Sequence, residues 1–248
     1  MPAVFVHGVP DTPGVWRHVL ARVPRRDVVT LALPGFGCPR PAGFAATKEA
    51  YVGWLVGELA KIDGPIDLVG HDWGSLLVMR AVMLRPDVVR SWAGGAAPID
   101  PTYVWHEAAQ IFQTPGMGEQ MMALMTGDAL RERLIAAGLS EADATATASR
   151  VDDTMKGCIL PLYRSAVSVG TEWEPDLGRI TAPGLVIFGE RDPYVDWHFG
   201  ERLAQRTNAR FILMKDCSHW WQCERPDEVV RELEAHWASV AGRSAAPA

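Results

Sequence analysis

The chain has 248 residues, 48% of them apolar and 22% charged, and a formal net charge of −6. Such a length is within reach of one domain burying roughly 70–75% of its unfolded surface, and the composition excludes a disordered chain. The negative charge argues against nucleic acid or an anionic membrane as partner. Four scattered cysteines (Cys38, Cys158, Cys217, Cys223) make no disulfide scaffold, and no apolar run reaches the ~18 residues that span a bilayer.

In chain order, Ala3–His7 reads as a buried strand, and Pro13 suits the first turn of a helix around Val15–Val23. The N-terminus, MPAVFVHG, lacks both a basic region and a long apolar stretch, so no secretion signal is read and a cytoplasmic location is expected. Val28–Leu33 is a second strand, ended by Pro34-Gly35 and a loop to Ala46. Thr47 is set to cap a helix to Ile62, with Tyr51, Leu55, Leu59 and Ile62 on one face. Ile66–Val69 is a strand, Ser75–Leu84 a helix, and Val88–Gly94, Leu185–Phe188 and Arg210–Met214 further strands. The last helix spans Pro226–Val240, with 242–248 read as a disordered tail. Strands separated by helices predict an α/β fold: a mostly parallel sheet covered on both faces.

Residues 99–176 break the alternation, with only helical pattern. The segments are Trp105–Met125, interrupted at Pro115-Gly116, then Asp128–Ala137, Ser140–Lys156 and Ile159–Val169, the last starting around Pro161. They are expected to form a helical cap over the strand ends, with 1–98 and 177–241 as the core; extra sheet-packing helices are the alternative.

The sharpest chemical signal is Leu68-Val69-Gly70-His71-Asp72-Trp73-Gly74-Ser75: an apolar strand, G-x-D-x-G, then a helix. A nucleophile elbow needs this layout, because small residues two before and two after let the backbones pass at a strained turn. Here the elbow residue is Asp72. Alone, the motif also suits a turn or N-cap aspartate.

Four segments together resemble the α/β-hydrolase superfamily, in its aspartate-nucleophile branch of epoxide hydrolases and dehalogenases. They are His7-Gly8-Val9-Pro10 after the first strand, Leu33-Pro34-Gly35-Phe36-Gly37, the elbow, and the pair Phe188–Pro193 and Cys217–Pro226. The resemblance implies the α/β-hydrolase fold with the cap inserted after the strand that follows the nucleophile helix. It implies Asp72 as nucleophile, Asp192 as acid and His219 as base, with the backbone N–H groups of Val9 and Trp73 as oxyanion donors. Members usually begin with a two-strand hairpin, for which this chain has no room. About six strands are therefore expected, with Val28–Leu33 at an open edge that is a candidate homodimer contact. Asp100 is a rival for the acid, since some relatives place theirs there.

A carboxylate nucleophile suits attack on a strained or activated carbon. Epoxide opening to a diol is the favoured reaction. Tyr163, in Leu162-Tyr163-Arg164-Ser165, resembles the second of two lid tyrosines that hold the leaving oxygen. The place of the first falls near Ala108-Ala109, where Tyr103, His106 or Gln110 could substitute. Dehalogenation is the alternative: Trp73 matches a halide-holding tryptophan, but Val9 replaces its usual side-chain partner. Ester or carbon–carbon hydrolysis or a cyclisation on the same triad stays open, and a non-catalytic small-molecule binder is the contrasting class. His7, Tyr103, Trp105, His106, Phe112 and Trp220 are the candidate substrate contacts for a small apolar substrate. No dinucleotide fingerprint follows the first strand and the mechanism requires no cofactor; Cys217, His219 and Cys223 fit no usual zinc spacing, so no metal is expected.

Overall fold

The structure, a computed structural model, describes residues 1–244, with side chains through residue 242. Six strands form one sheet: β1 (Ala3–Val6), β2 (Val28–Leu31), β3 (Ile66–Gly70), β4 (Val89–Gly94), β5 (Gly184–Gly189) and β6 (Arg210–Met214). Their order is β2-β1-β3-β4-β5-β6, every pairing is parallel, and β2 occupies an edge as expected. The strands read as continuous apolar runs because both faces are covered. Val4, Val6, Leu68, Trp92, Val186 and Phe188 enter one core, while Ala3, Phe5, Val69, Ala93, Leu185 and Ile187 enter the other.

On the first face pack α2 (Lys48–Leu59), through Tyr51, Leu55 and Leu59, and α3 (Trp73–Leu84). Thr47 caps α2, its hydroxyl accepting from the Ala50 N–H at 3.3 Å. On the second face lie a 3-10 turn (Pro13–Trp16) running into the short α1 (Arg17–Leu20), and the terminal helix (Pro226–Ser244), through Val229, Leu233 and Trp237. That helix carries on through 242–244, which corrects the reading of a tail from 242; residues 245–248 lie outside the described residues.

Between β4 and β5 the chain inserts α4 (Glu107–Gln113), α5 (Met117–Leu124), α6 (Gly127–Ala136), α7 (Glu141–Ala148), α8 (Asp153–Arg164) and α9 (Val169–Trp173), then a 3-10 turn (Glu174–Arg179). The reading of 140–156 as one helix was wrong. Ser140 caps α7, and a new cap follows at Asp152, whose side chain accepts from the Met155 N–H at 2.8 Å. Pro161 lies inside α8, not at a helix start. It lacks the N–H that would bond the Gly157 carbonyl, and Arg40 Nη1 donates to that carbonyl at 3.4 Å. Ion pairs fasten the insertion to the core: Arg17 and His18 to Asp143, Lys48 to Glu172 (2.8 Å) and Arg80 to Asp176 (2.6 Å).

After β5 comes α10 (Trp197–Thr207), which the sequence reading passed over, and after β6 the single turn α11 (Trp221–Glu224); the terminal helix is α12. No helix among the described residues is long and apolar enough to cross a membrane.

Candidate active site

The C-terminal ends of β1, β3 and β5 and the loop after β6 converge on one cavity of about 110 Å³. Asp72 sits between β3 and α3 with φ 53° and ψ −125°, a conformation costing a non-glycine residue roughly 1–3 kcal/mol. The turn closes because a side chain at Gly70 would overlap the Gly74 backbone and one at Gly74 would overlap the Val6 backbone. A side chain at Gly8 would overlap Asp72 itself.

The two oxygens of Asp72 stand in different surroundings. The Val9 N–H donates to Oδ1 at 2.8 Å, while Oδ2 lies 3.7 Å from His219 Nε2, too far for a hydrogen bond. Burial raises the Asp72 carboxyl to about 6, against the opposing pull of His219 and the N–H groups of Trp73 and Val9.

His219 Nδ1 and Asp192 Oδ2 are 2.8 Å apart, and the N–H groups of Tyr194 (2.8 Å) and Val195 (3.0 Å) fix Asp192 Oδ1. Burial opposes charging of His219, but the carboxylates of Asp192, Asp72 and Asp11 outweigh it and lift the imidazole to about 9. The elbow also holds the histidine loop, since His71 Nε2 donates to the His219 carbonyl at 2.9 Å. Asp100, the rival acid, is engaged elsewhere: it accepts from the Thr102 N–H (2.9 Å) and hydroxyl (2.6 Å) and pairs with Arg202 (3.0 Å).

Tyr163, on α8, lines the same cavity as Asp72 and His219, edge-on to Trp73 and Phe112, each with centroids 5.2 Å away. Burial, then the Asp72 charge, push its phenol well above the ordinary value, so it stays a neutral donor. His106, Phe112 and Trp220 line the cavity too. His106 caps α4: its Nδ1 accepts from the Ala109 N–H at 3.3 Å, which places the proton on Nε2, and burial lowers it to about 4.

The other expected contacts do not line this cavity. His7 accepts from the Leu33 N–H through Nε2 (3.1 Å) and donates through Nδ1 to the Gly8 carbonyl (2.8 Å). It thereby fastens the loop after β2 to the loop after β1 and does not face the cavity. Tyr103 gives its hydroxyl to the Tyr194 carbonyl (3.2 Å), and Trp105 stacks on Trp73; both line a small adjoining cleft that shares Asp72, His106 and Tyr194 with the cavity. Gln110 donates to the Trp105 carbonyl at 2.5 Å on the surface.

Two residues went unnoticed in the sequence. Tyr194 lines the cavity with its ring edge-on to His219 (5.0 Å). Burial and the charges of Asp192, Asp72 and Asp11 push its phenol up to about 12, with Arg133 opposing. Asp11 is buried, accepts from the Trp220 indole N–H at 3.1 Å and from the Thr147 hydroxyl at 3.4 Å, and is raised to about 6 by burial. Its signal was its place just past His7-Gly8-Val9-Pro10. Among the described residues no group of three His, Cys, Asp or Glu is placed to hold a metal ion.

Known proteins share this arrangement of chain. The Epoxide hydrolase A of Mycobacterium tuberculosis is 25% identical over 93% of this chain and 88% of its own length. A haloalkane dehalogenase of Bradyrhizobium diazoefficiens is 26% identical over 96% and 87%. Among solved structures, a loop variant of the haloalkane dehalogenase DbeA from Bradyrhizobium elkanii superposes with a TM-score of 0.81 at 21% identity, covering 99% of this chain and 91% of that one. The sequence model of the alpha/beta hydrolase family matches residues 3–232, and with the six-stranded parallel sheet and the elbow between β3 and α3, the chain belongs to the alpha/beta hydrolase family.

Proposed function

We propose that this hydrolase opens an epoxide to a vicinal diol through an alkyl ester on Asp72, with the inserted helices α4–α9 acting as a lid. The observation that carries the reading is the division of labour at Asp72. Oδ1 is held by the Val9 N–H, while Oδ2 is left facing His219 across a 3.7 Å gap, in a cavity lined by the Tyr163 phenol.

Asp72 Oδ2 attacks an epoxide carbon; that C–O bond forms as the ring C–O bond breaks. Tyr163 donates to the emerging alkoxide, aided by the Nε2–H of His106. The proton that neutralises the alkoxide is drawn through Tyr163 from the His219 imidazolium. Esterification removes the Asp72 charge, one of the charges that keep His219 protonated, and so favours the neutral imidazole.

Neutral His219, oriented by Asp192, then takes a proton from water as the water attacks Asp72 Cγ. The oxyanion forms on Oδ1, where the Val9 and Trp73 N–H groups receive it. Collapse breaks the Cγ–Oδ2 bond and releases the diol. The last proton returns to His219, restoring the carboxylate and imidazolium.

One observation favours a second reading. The Trp73 indole N–H is buried and makes no hydrogen bond of normal geometry among the described residues, although it lies close enough to the Tyr163 phenol to act on it, and a halide could take this donor. Dehalogenation on the same Asp72 would use it, but Val9 offers no side-chain donor opposite.

The test is a screen of terminal, styrene-type and cyclic epoxides beside haloalkanes with His219→Gln. Epoxide turnover by the wild type, and an adduct one substrate mass heavier on Asp72 in the variant, support the reading. Halide release without epoxide turnover would replace it with dehalogenation.

A further inference from the structure

One charge in the cavity wall has no part in the triad. Helix α6 presents Leu130, Arg133 and Leu134 to the cavity, positions i, i+3 and i+4 of one stripe. Leu130 and Leu134 are buried, as a core-facing stripe requires, but the residue between them is an arginine. The other charged residues of α6 do not line the cavity; Arg131, for one, pairs with Glu141 at 3.3 Å. Arg133 has no carboxylate within 4 Å among the described residues, and its Nη1 meets only the Met121 sulfur, at 3.4 Å. It is the one Lys or Arg in the cavity lining, and its exposure places it at the solvent end.

We infer that Arg133 binds a carboxylate on the substrate, so that the preferred substrate is an epoxide-bearing organic acid lying head-in, with its anionic end at the cavity mouth. The inference rests on the epoxide reading of Asp72 for the reacting end only. An anion next to Asp72 and Asp11 would be repelled at close range. Held at the opposite, solvated end, it keeps much of its hydration and gains a guanidinium fork that carboxylates match in two-point geometry. Much of the remaining wall is apolar (Phe112, Leu130, Leu134, Ile159), which suits an aliphatic or aryl spacer. The lone cation thus orients a substrate that the apolar wall alone would accept either way round.

The test compares ω-epoxy carboxylates of four to eight carbons with 1,2-epoxyalkanes of the same lengths, in wild type, Arg133→Gln and Arg133→Lys. It adds calorimetric binding of the unreactive acids butanoate to octanoate against the matching alcohols. Wild type should prefer the acids, with an optimum chain length, and the preference should fall with added salt. Arg133→Gln should lower the acid-to-alkane ratio of kcat/KM by roughly 10–100-fold, mostly through KM, and Arg133→Lys should keep part of it. Equal handling of acids and alkanes by wild type, or an unchanged ratio in Arg133→Gln, overturns the inference while leaving the epoxide reading intact. Salt-sensitive binding of the unreactive acids that Arg133→Gln abolishes, with no epoxide turned over, upholds the anion site and overturns the epoxide reading instead.

Discussion

Asp192→Asn isolates the step that the His219–Asp192 pair is proposed to serve. Asp192 Oδ1 accepts two backbone N–H groups, at 2.8 and 3.0 Å, and Oδ2 faces His219 Nδ1 at 2.8 Å. In the asparagine, the carbonyl oxygen must stay with the two N–H groups, because an amide NH2 there would leave both without an acceptor. Each unpaired buried donor costs roughly 1–3 kcal/mol, so the NH2 is held against Nδ1 by a factor of roughly 10²–10⁴. Facing that donor, Nδ1 becomes an acceptor and the imidazole proton moves to Nε2, where it can no longer take a proton from water. Ester hydrolysis should slow by that same factor, while attack by Asp72, whose contacts are with Val9 and Trp73, needs no base and falls only to the rate left when His219 is neutral. Rapid-quench intact-mass measurement should therefore show a stoichiometric alkyl-enzyme within the first turnover. Asp100→Asn, whose carboxylate serves Thr102 and Arg202, should show no such accumulation. Hydrolysis within tenfold of wild type in Asp192→Asn without adduct, or accumulation in Asp100→Asn instead, would refute the reasoning.

Tyr163→Phe should reduce epoxide turnover by roughly 10²–10³, read as the single-turnover alkylation rate; a loss under fivefold would move the donor role to His106 or Tyr194. Alkylation requires ionised Asp72, so its rate should fall below about pH 6; above about pH 9, where His219 loses its proton and water must neutralise the alkoxide, it should drop to a lower plateau, the rate left to His219→Gln. Asp11→Asn removes one charge that raises His219 and should move the alkaline limb to lower pH; a profile unmoved by it would remove Asp11 from the electrostatics of the site. The β2 edge is proposed as a homodimer contact: light scattering should show a dimer that Thr30→Lys, at an exposed position on that strand, converts to monomer, and a monomeric wild type would dismiss it.

The strands were legible because a parallel sheet covered on both faces demands unbroken apolar runs, and Val4–Val6, Leu68–Val69 and Leu185–Phe188 supply them. Asp72, Asp192 and His219 could be picked out as neighbours because this fold brings the loops at its strand ends together, and the structure sets His219 between the two carboxylates. The helix boundaries in the insertion were not. Thr145–Arg150 carries helical pattern without a break, and only the Asp152 cap reveals that a second helix starts there. Pro161 reads locally as a first-turn residue, yet α8 tolerates it because Arg40, far away in sequence, takes the carbonyl it leaves free. Helix α10 is marked by its Asp196 cap and its left-handed Asn208 stop, both short-range signals lost among polar residues. Tyr194 and Asp11 belong to loops, where no periodicity reports which way a side chain faces. His7 illustrates the opposite error: a motif residue next to the site was assigned to substrate, but its two ring nitrogens are fully used in tying two loops together.

The central claim is that Asp72 is the nucleophile, and single turnover in heavy-oxygen water tests it most directly. With excess enzyme, water attacks Cγ of the ester, so the heavy oxygen should enter the Asp72 carboxylate and the first diol released should carry an unlabelled oxygen from the enzyme. Peptide mass spectrometry after one turnover should place the label in the peptide spanning Asp72 and nowhere else. Heavy oxygen found in the diol after that first turnover, with Asp72 unlabelled, would mean that water attacks the substrate directly, and would contradict the account.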